Sequence, residues 1–235
     1  LEAIVETKGE ILDDLAASDT AVINVDQSHY SAWQLRAAPA RIISFGESST
    51  ADIRLLDLVD CGFDGSDITV DAMGTQMSLR LSIPGKGGVT NALAAIAAAI
   101  ALDIDVSLIK QGIEALSPVE GRGNTLHLDK GIRLIDDSYN ANPAAVNAAL
   151  EVLARQPGYR VLVLGPMLEL GQDSQSLHHE VGRYARQLGI DQLITVGNEA
   201  APAAEAFGPD ALCFADQTAL QRDFPALPAE HIICV

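Results

Sequence analysis

From Asp136 to Pro143 the chain reads Asp-Asp-Ser-Tyr-Asn-Ala-Asn-Pro. Eight residues hold two carboxylates, a hydroxyl, a phenol and two amides. The segment follows the apolar run Ile132–Ile135 and precedes a helix expected from Ala144. Carboxylates accept hydrogen bonds, whereas hydroxyls and amides both donate and accept. A connecting loop needs turn formers, but it does not need this density of polar groups. The octet is therefore the first candidate for a ligand site. A plainer role stands beside it, in which Asn142 is a helix N-cap and Pro143 the first helical residue.

Three further segments carry chemistry of their own. Gly121-Arg122-Gly123 places a guanidinium between glycines, where it can bind a phosphate bidentately without crowding. A solvated arginine in a hinge would have the same sequence. Gly85-Lys86-Gly87-Gly88, read as a loop entering a helix at Val89, offers backbone N–H groups to an anion. It lacks the GxxxxGK[ST] spacing of a P-loop, and a plain turn accounts for it equally well. Gly165-Pro166-Met167-Leu168-Glu169-Leu170-Gly171 follows another apolar run and is itself followed by His178 and His179. Glu169 and His178 are candidates for a shared cleft, although a helical histidine more often serves as a structural hydrogen-bonder. Spacing alone makes Lys8 an exposed helical lysine and Trp33 a core residue.

The elements that must position these groups fall into two regions. Leu1–Leu15 has helical spacing, with Ile4, Ile11, Leu12 and Leu15 recurring between acidic residues. Thr20–Val25 and Arg41–Phe45 are short strands. Ile53–Cys61, Ile68–Met73 and Met77–Ile83, broken by Gly/Asp turns, predict an antiparallel meander. Helices are expected over Val89–Leu102 and Val106–Leu116, and a domain boundary at Ser117–Gly121. Beyond it, strands at Thr125–Leu128, Ile132–Ile135, Arg160–Leu164, Gln192–Val196, Ala211–Phe214 and His231–Val235 alternate with helices. Those helices are expected at Ala144–Ala154, Ser174–Leu188, Asn198–Phe207 and Ala219–Phe224. Such alternation predicts a doubly wound, mostly parallel α/β sheet with ligands at the carboxyl ends of its strands.

Composition removes several function classes. With 15 Lys+Arg against 32 Asp+Glu, the formal net charge is −17. A chain so acidic, without a basic run, repels nucleic acid and anionic lipid. No apolar run reaches the ~18 residues of a spanning helix. The three cysteines, Cys61, Cys213 and Cys234, lie far apart and near no histidine cluster. They predict reduced thiols in a cytoplasmic protein, with neither a disulfide framework nor a zinc site. Leu1 stands inside a helical pattern and Val235 at the end of an apolar strand, so a piece of a longer protein is expected.

Taken in order, the segments Lys8–Ile11, Ala21–Asp26, Asn91–Ala95, Gly121-Arg122, Asp136–Pro143 and Met167–Gly171 resemble the Mur ligase family. The octet and the Met167–Gly171 stretch are most similar to the branch that adds D-alanyl-D-alanine to UDP-MurNAc-tripeptide. The resemblance implies that residues 1–116 are the later part of a P-loop-type central ATPase domain. Residues 117–235 are then most of a Rossmann-like C-terminal domain. It implies ATP and Mg2+ as cofactors, an acyl-phosphate intermediate, and the UDP-tripeptide and D-Ala-D-Ala as substrates. It implies that Lys8 is carbamylated and supports the magnesium ion, that Asn91 lies at the adenine, and that Arg122 is directed to nucleotide phosphate. Asp137 would stand on the ribose side of ATP. Ser138, Tyr139, Asn140 and Asn142 would face nucleotide and incoming dipeptide, and His178 is a recurring residue of undefined role.

The chain departs from the family pattern at four positions. Gly87-Gly88 stand where His-Asn is usual, Pro166 where Asp is usual, and Glu120 where Pro is usual. No GxxxxGK[ST] occurs in the 235 residues. The leading expectation is an ATP-dependent peptide ligase that does not turn over as this chain alone. The rivals are a non-catalytic binding module that has kept the fold, and a ligase of cyanophycin or folate type acting on another substrate.

Overall fold

The computed structural model describes residues 2–226 and 231–234. The chain divides into two compact units, Leu1–Ser117 and Pro118–Val235.

In the first unit, helix α1 (Glu2–Gly9) runs into a 3-10 turn at Glu10–Leu12 and stops short of the expected Leu15. Gly9, a poor helix former, marks that end. Strands β1 (Thr20–Asn24) and β2 (Arg41–Gly46) flank helix α2 (Tyr30–Arg36). This helix has too weak a periodicity to be read from sequence. It forms because Trp33 and Tyr30 pack against buried Ala21, Ile23 and Ala37. Trp33 is only partly buried, and its Nε1 donates to the Val5 carbonyl at 3.4 Å.

The meander is β3 (Ile53–Asp60), β4 (Ser66–Ala72) and β5 (Thr75–Leu81). Sheet order is β1-β2-β3-β4-β5. The first three strands run parallel and the last three antiparallel. Helices α3 (Gly85–Ala101) and α4 (Val106–Glu114) complete the unit. On α3, Val89, Ala92, Leu93, Ile96 and Ala97 are buried at i, i+3, i+4, i+7 and i+8, against Ile43, Ile53, Val70 and Leu79 among others. The expected glycine loop is instead the first turn of α3, with Pro84 as its N-cap. Burial of Gly88 and Val89 against the sheet outweighs the low helix propensity of glycine.

The second unit contains β6 (Asn124–His127), β7 (Arg133–Asp136), α5 (Pro143–Ala154), β8 (Tyr159–Leu164), α6 (Ser174–Gln187) and β9 (Gln192–Val196). Then come α7 (Ala201–Phe207), β10 (Ala211–Phe214), α8 (Gln217–Arg222) and β11 (His231–Cys234). Sheet order is β10-β9-β8-β11-β7-β6, parallel except for β6 against β7. Because β11 sits between β7 and β8, the chain leaving β7 through α5 skips a place before entering β8. The chain goes on through β9 to the edge strand β10 and turns back only to place β11 in that gap, and a cavity lies at the carboxyl ends. Helix α8 begins before the expected Ala219, since Asp216 accepts a capping bond from the Ala219 N–H at 2.8 Å. Val235, the end of the last expected strand, lies outside the described residues. Among the described residues no helix is long and apolar enough to cross a membrane, and Cys61 and Cys213 are free thiols.

Helices α6 and α7 approach closely enough that a Cβ on Gly182 would stand 1.9 Å from the Ala203 carbonyl oxygen. Gly182→Ala must push the two helices apart, and the backbone atom in the way cannot swing aside. We expect a loss of about 1–3 kcal/mol, the usual cost of overpacking, read as a lower denaturant midpoint. An unchanged midpoint would contradict the close packing.

Candidate functional site

A cavity of about 560 Å³ lies at the carboxyl ends of β7, β8 and β9. The loop after β7 lines it from Asp137 to Ala141, and the loop after β8 with Gly165, Pro166 and Leu168. Ala145 and Ala149 on α5 leave the space open, and Gln217 and Gln221 on α8 add amides at its border. Two of the sequence candidates, the octet and the Gly165–Gly171 stretch, thus meet at one cavity. It is mostly apolar with a few convergent polar groups, the character of a small-molecule site.

The segment Gly121–Gly123 is stitched to the octet. The Gly121 N–H donates to Asp136 Oδ2 at 3.0 Å, and the Tyr139 N–H donates to the Gly121 carbonyl at 3.0 Å. Arg122 lays its guanidinium over the Tyr139 ring, with Cζ 4.1 Å from the centroid. Arg122 is exposed, as are Ser138, Tyr139 and Asn140.

The two adjacent carboxylates differ in character. Asp136 accepts from the Ser138 hydroxyl at 2.6 Å and from the Ser138 N–H at 3.2 Å. The Ser138 hydroxyl chiefly holds its carboxyl below the usual range; burial opposes this, and the Ser138 and Gly121 N–H groups add to the lowering. Asp137 is partly buried. Burial pushes its carboxyl up, the Gly123 N–H opposes this, the Asp136 charge adds to the rise and Arg122 offsets part of it. Asp136 is the brace of the loop, and Asp137 is the carboxylate that faces the cavity.

Asn142 does not line the cavity. Its Oδ1 accepts from the Ala145 N–H at 3.0 Å, so its side chain is engaged as the N-cap of α5, with Pro143 in the first turn. His178 is fully buried. Its Nε2 accepts the Met167 N–H at 3.0 Å, which leaves Nδ1 to carry the proton toward the Ser174 carbonyl at 2.7 Å. It therefore holds the loop that lines the cavity. The shared cleft with Glu169 is absent, because Glu169 is exposed, takes a positive φ of 62° and lies off the cavity wall.

In the first unit Lys8 is exposed at the end of α1 and Asn91 is exposed on α3. Among the described residues no group of three or more His, Cys, Asp or Glu converges to hold a metal ion. A smaller cavity, about 360 Å³, lies at the carboxyl ends of β1 and β2 and includes Asn24, Asp26, Glu47, Lys86 and Thr90. Asp26 accepts from the N–H groups of Glu47 at 2.7 Å and Ser48 at 3.0 Å. Lys86 pairs with Glu47 at 2.7 Å, which raises its pKa. Sequence reading missed this cluster because its members lie on three separate segments. The only available signal was the rule that ligands gather at strand carboxyl ends.

Two family profiles cover most of the chain. "Mur ligase middle domain" matches residues 1–99, and "Mur ligase, glutamate ligase domain" matches residues 121–234. A UDP-N-acetylmuramoyl-tripeptide–D-alanyl-D-alanine ligase of Escherichia coli is 34% identical over 231 residues, covering 98% of this chain and 51% of that protein. The solved UDP-N-acetylmuramoylalanyl-D-glutamyl-2,6-diaminopimelate–D-alanyl-D-alanyl ligase of Acinetobacter baumannii superposes with a TM-score of 0.87 at 26% identity, over 99% of this chain and 51% of that one. A MurF ligase of Thermotoga maritima, solved in complex with ADP, gives 0.81 at 25% identity, over 99% and 53%. The chain spans about half the length of these proteins.

Two outcomes follow from the geometry. Because burial disfavours the charged form of Asp137, its stabilising share is complete at acid pH and is lost as pH rises through its elevated pKa. Asp137→Asn should therefore raise the melting temperature at pH 7 and lose that advantage toward pH 3. Melting curves across this range test it, and a variant less stable than the parent at pH 7 would refute the assignment. His178→Ala strands the buried Met167 N–H, which should cost about 1–3 kcal/mol before any cavity effect, measurable by urea unfolding.

Proposed function

The chain belongs to the Mur ligase family, and we propose that it supplies the nucleotide-facing and acceptor-binding part of a cytoplasmic, ATP-dependent ligase. That ligase joins D-Ala-D-Ala to UDP-MurNAc-tripeptide in peptidoglycan precursor synthesis. The observation that carries the reading is the meeting of the octet with Gly165, Pro166 and Leu168 at one cavity, with Arg122 stacked on Tyr139 of its lining. Further support comes from relatives and solved neighbours with that activity in their names, one of them holding ADP.

In this reading the tripeptide carboxylate takes the γ-phosphoryl group of ATP and ADP leaves. The dipeptide amine then attacks the acyl phosphate, and phosphate departs with the bonding electrons. Arg122 offsets phosphate charge through its guanidinium N–H groups. Asp137 accepts from a ribose hydroxyl. The cavity takes the dipeptide, its apolar wall of Ala145, Ala149 and Leu168 meeting the methyl groups, while the exposed Ser138 and Asn140 offer donors and acceptors to the peptide. In a chain of net charge −17, one well-held guanidinium carries much of the attraction for an anion. Magnesium, when bound, would shield the nucleotide charge, with Lys8 supporting it once carbamylated.

One observation favours the rival binding module. A Cβ on Gly88 would meet the Ile83 carbonyl oxygen at 2.7 Å, so the asparagine usual in the family does not fit there. A Cβ on Gly87 meets nothing within 4 Å. The backbone has closed over one nucleotide-side position and left the other empty.

Phosphate release by the protein from the complete reading frame encoding this chain separates the two. We expect release to require ATP, UDP-MurNAc-tripeptide and D-Ala-D-Ala together, and Arg122→Ala to lower it by about 10²-fold or more, as for loss of a donor to developing charge. A folded protein that releases no phosphate and binds neither ATP nor D-Ala-D-Ala would establish the binding-module reading instead.

A further inference from the structure

We infer that Tyr139 is a positioning residue whose ring seats the Arg122 guanidinium for the phosphate of a bound nucleotide, so that it governs nucleotide affinity as well as lining the acceptor cavity. This rests on the nucleotide-facing reading of Arg122 given above. Tyr139 is 68% exposed, so its ring is open to a ligand as well as to Arg122. Its ring lies under Arg122 at 4.1 Å. Its hydroxyl makes no hydrogen bond among the described residues, so the ring is the working part.

The backbone on both sides is fixed. Tyr139 donates to Gly121, Gly121 donates to Asp136, and the Arg122 N–H donates to the Val119 carbonyl at 3.0 Å. The decisive feature is which part of the guanidinium is used. A carboxylate partner would engage the edge N–H groups, leaving none for a ligand. An aromatic partner engages only the face. Among the described residues Arg122 forms no ion pair or side-chain hydrogen bond, so its edge donors stay free for a bidentate phosphate contact while the face is held in place. A flexible arginine would lose its rotamer freedom on binding, and the ring removes part of that loss beforehand. The same ring borders the cavity, so one residue touches both substrates' surroundings.

The test measures ADP and D-Ala-D-Ala dissociation constants on the protein from the complete reading frame, for wild type, Arg122→Ala, Tyr139→Leu, Tyr139→Phe and the Arg122→Ala/Tyr139→Leu double variant. Tyr139→Leu should weaken ADP by about three- to fivefold, the scale of an exposed cation–π contact, at an unchanged melting temperature. Tyr139→Phe, which keeps the ring, should restore the affinity to within twofold of wild type. The double variant should bind ADP no more weakly than Arg122→Ala alone. Wild-type ADP affinity in Tyr139→Leu, failure of Tyr139→Phe to restore it, or additive losses in the double variant would each overturn the inference. So would a Tyr139→Leu defect confined to D-Ala-D-Ala. If Arg122→Ala itself leaves ADP binding intact, the nucleotide-facing reading of Arg122 falls too, a result distinct from the others.

Discussion

The site depends on a backbone seam. Gly121 gives its N–H to Asp136 and its carbonyl to the N–H of Tyr139. These two bonds fasten the segment that enters the second unit to the loop leaving β7. Everything that makes the loop a site follows from them. Asp136 is consumed as a brace, Asp137 is left partly buried toward the cavity, and Arg122 arrives above Tyr139. Without the seam, Arg122 would be one solvated cation on a strongly acidic surface, and a single exposed charge in water is worth little.

The second wall of the cavity is held by a different device with the same logic. The loop after β8 has no secondary structure to position it, and Glu169 takes a left-handed backbone conformation uncommon outside glycine. A fully buried imidazole on α6 accepts from the Met167 N–H at Nε2 and donates from Nδ1–H to the Ser174 carbonyl. A buried polar group is tolerated only when it is satisfied. His178 meets that condition through bonds that also fix where Pro166 and Leu168 stand. The wall is thus tied to the helix behind it, while β7, β8 and α5 set its distance from the octet.

The departures from the family pattern differ in consequence. At Gly88 the Ile83 carbonyl oxygen occupies the space a side chain would need, so the glycine is built into the packing. At Gly87 the space is open. Pro166 replaces an acidic residue on the cavity wall, removing a charge and an N–H donor together. All three make the surroundings less polar, and each changes what the chain offers to an anionic or zwitterionic guest.

Much of the architecture was legible in residue order alone. Strand and helix periods differ, and the alternation after Gly121 leaves few topologies open. The octet announced itself through polar density at a strand end. The sequence by itself therefore determined the two units, the parallel sheet of the second and the loop that carries its polar groups, because these follow from local spacing. Only the tertiary structure decided that the His178 ring takes the Met167 N–H, that Asp136 braces the loop while Asp137 lines the cavity, and that Arg122 rests on Tyr139. Those outcomes depend on which groups from distant segments arrive within about 3–4 Å of one another, where hydrogen bonds and cation–π contacts act. Spacing along a chain does not encode that distance until the sheet has folded.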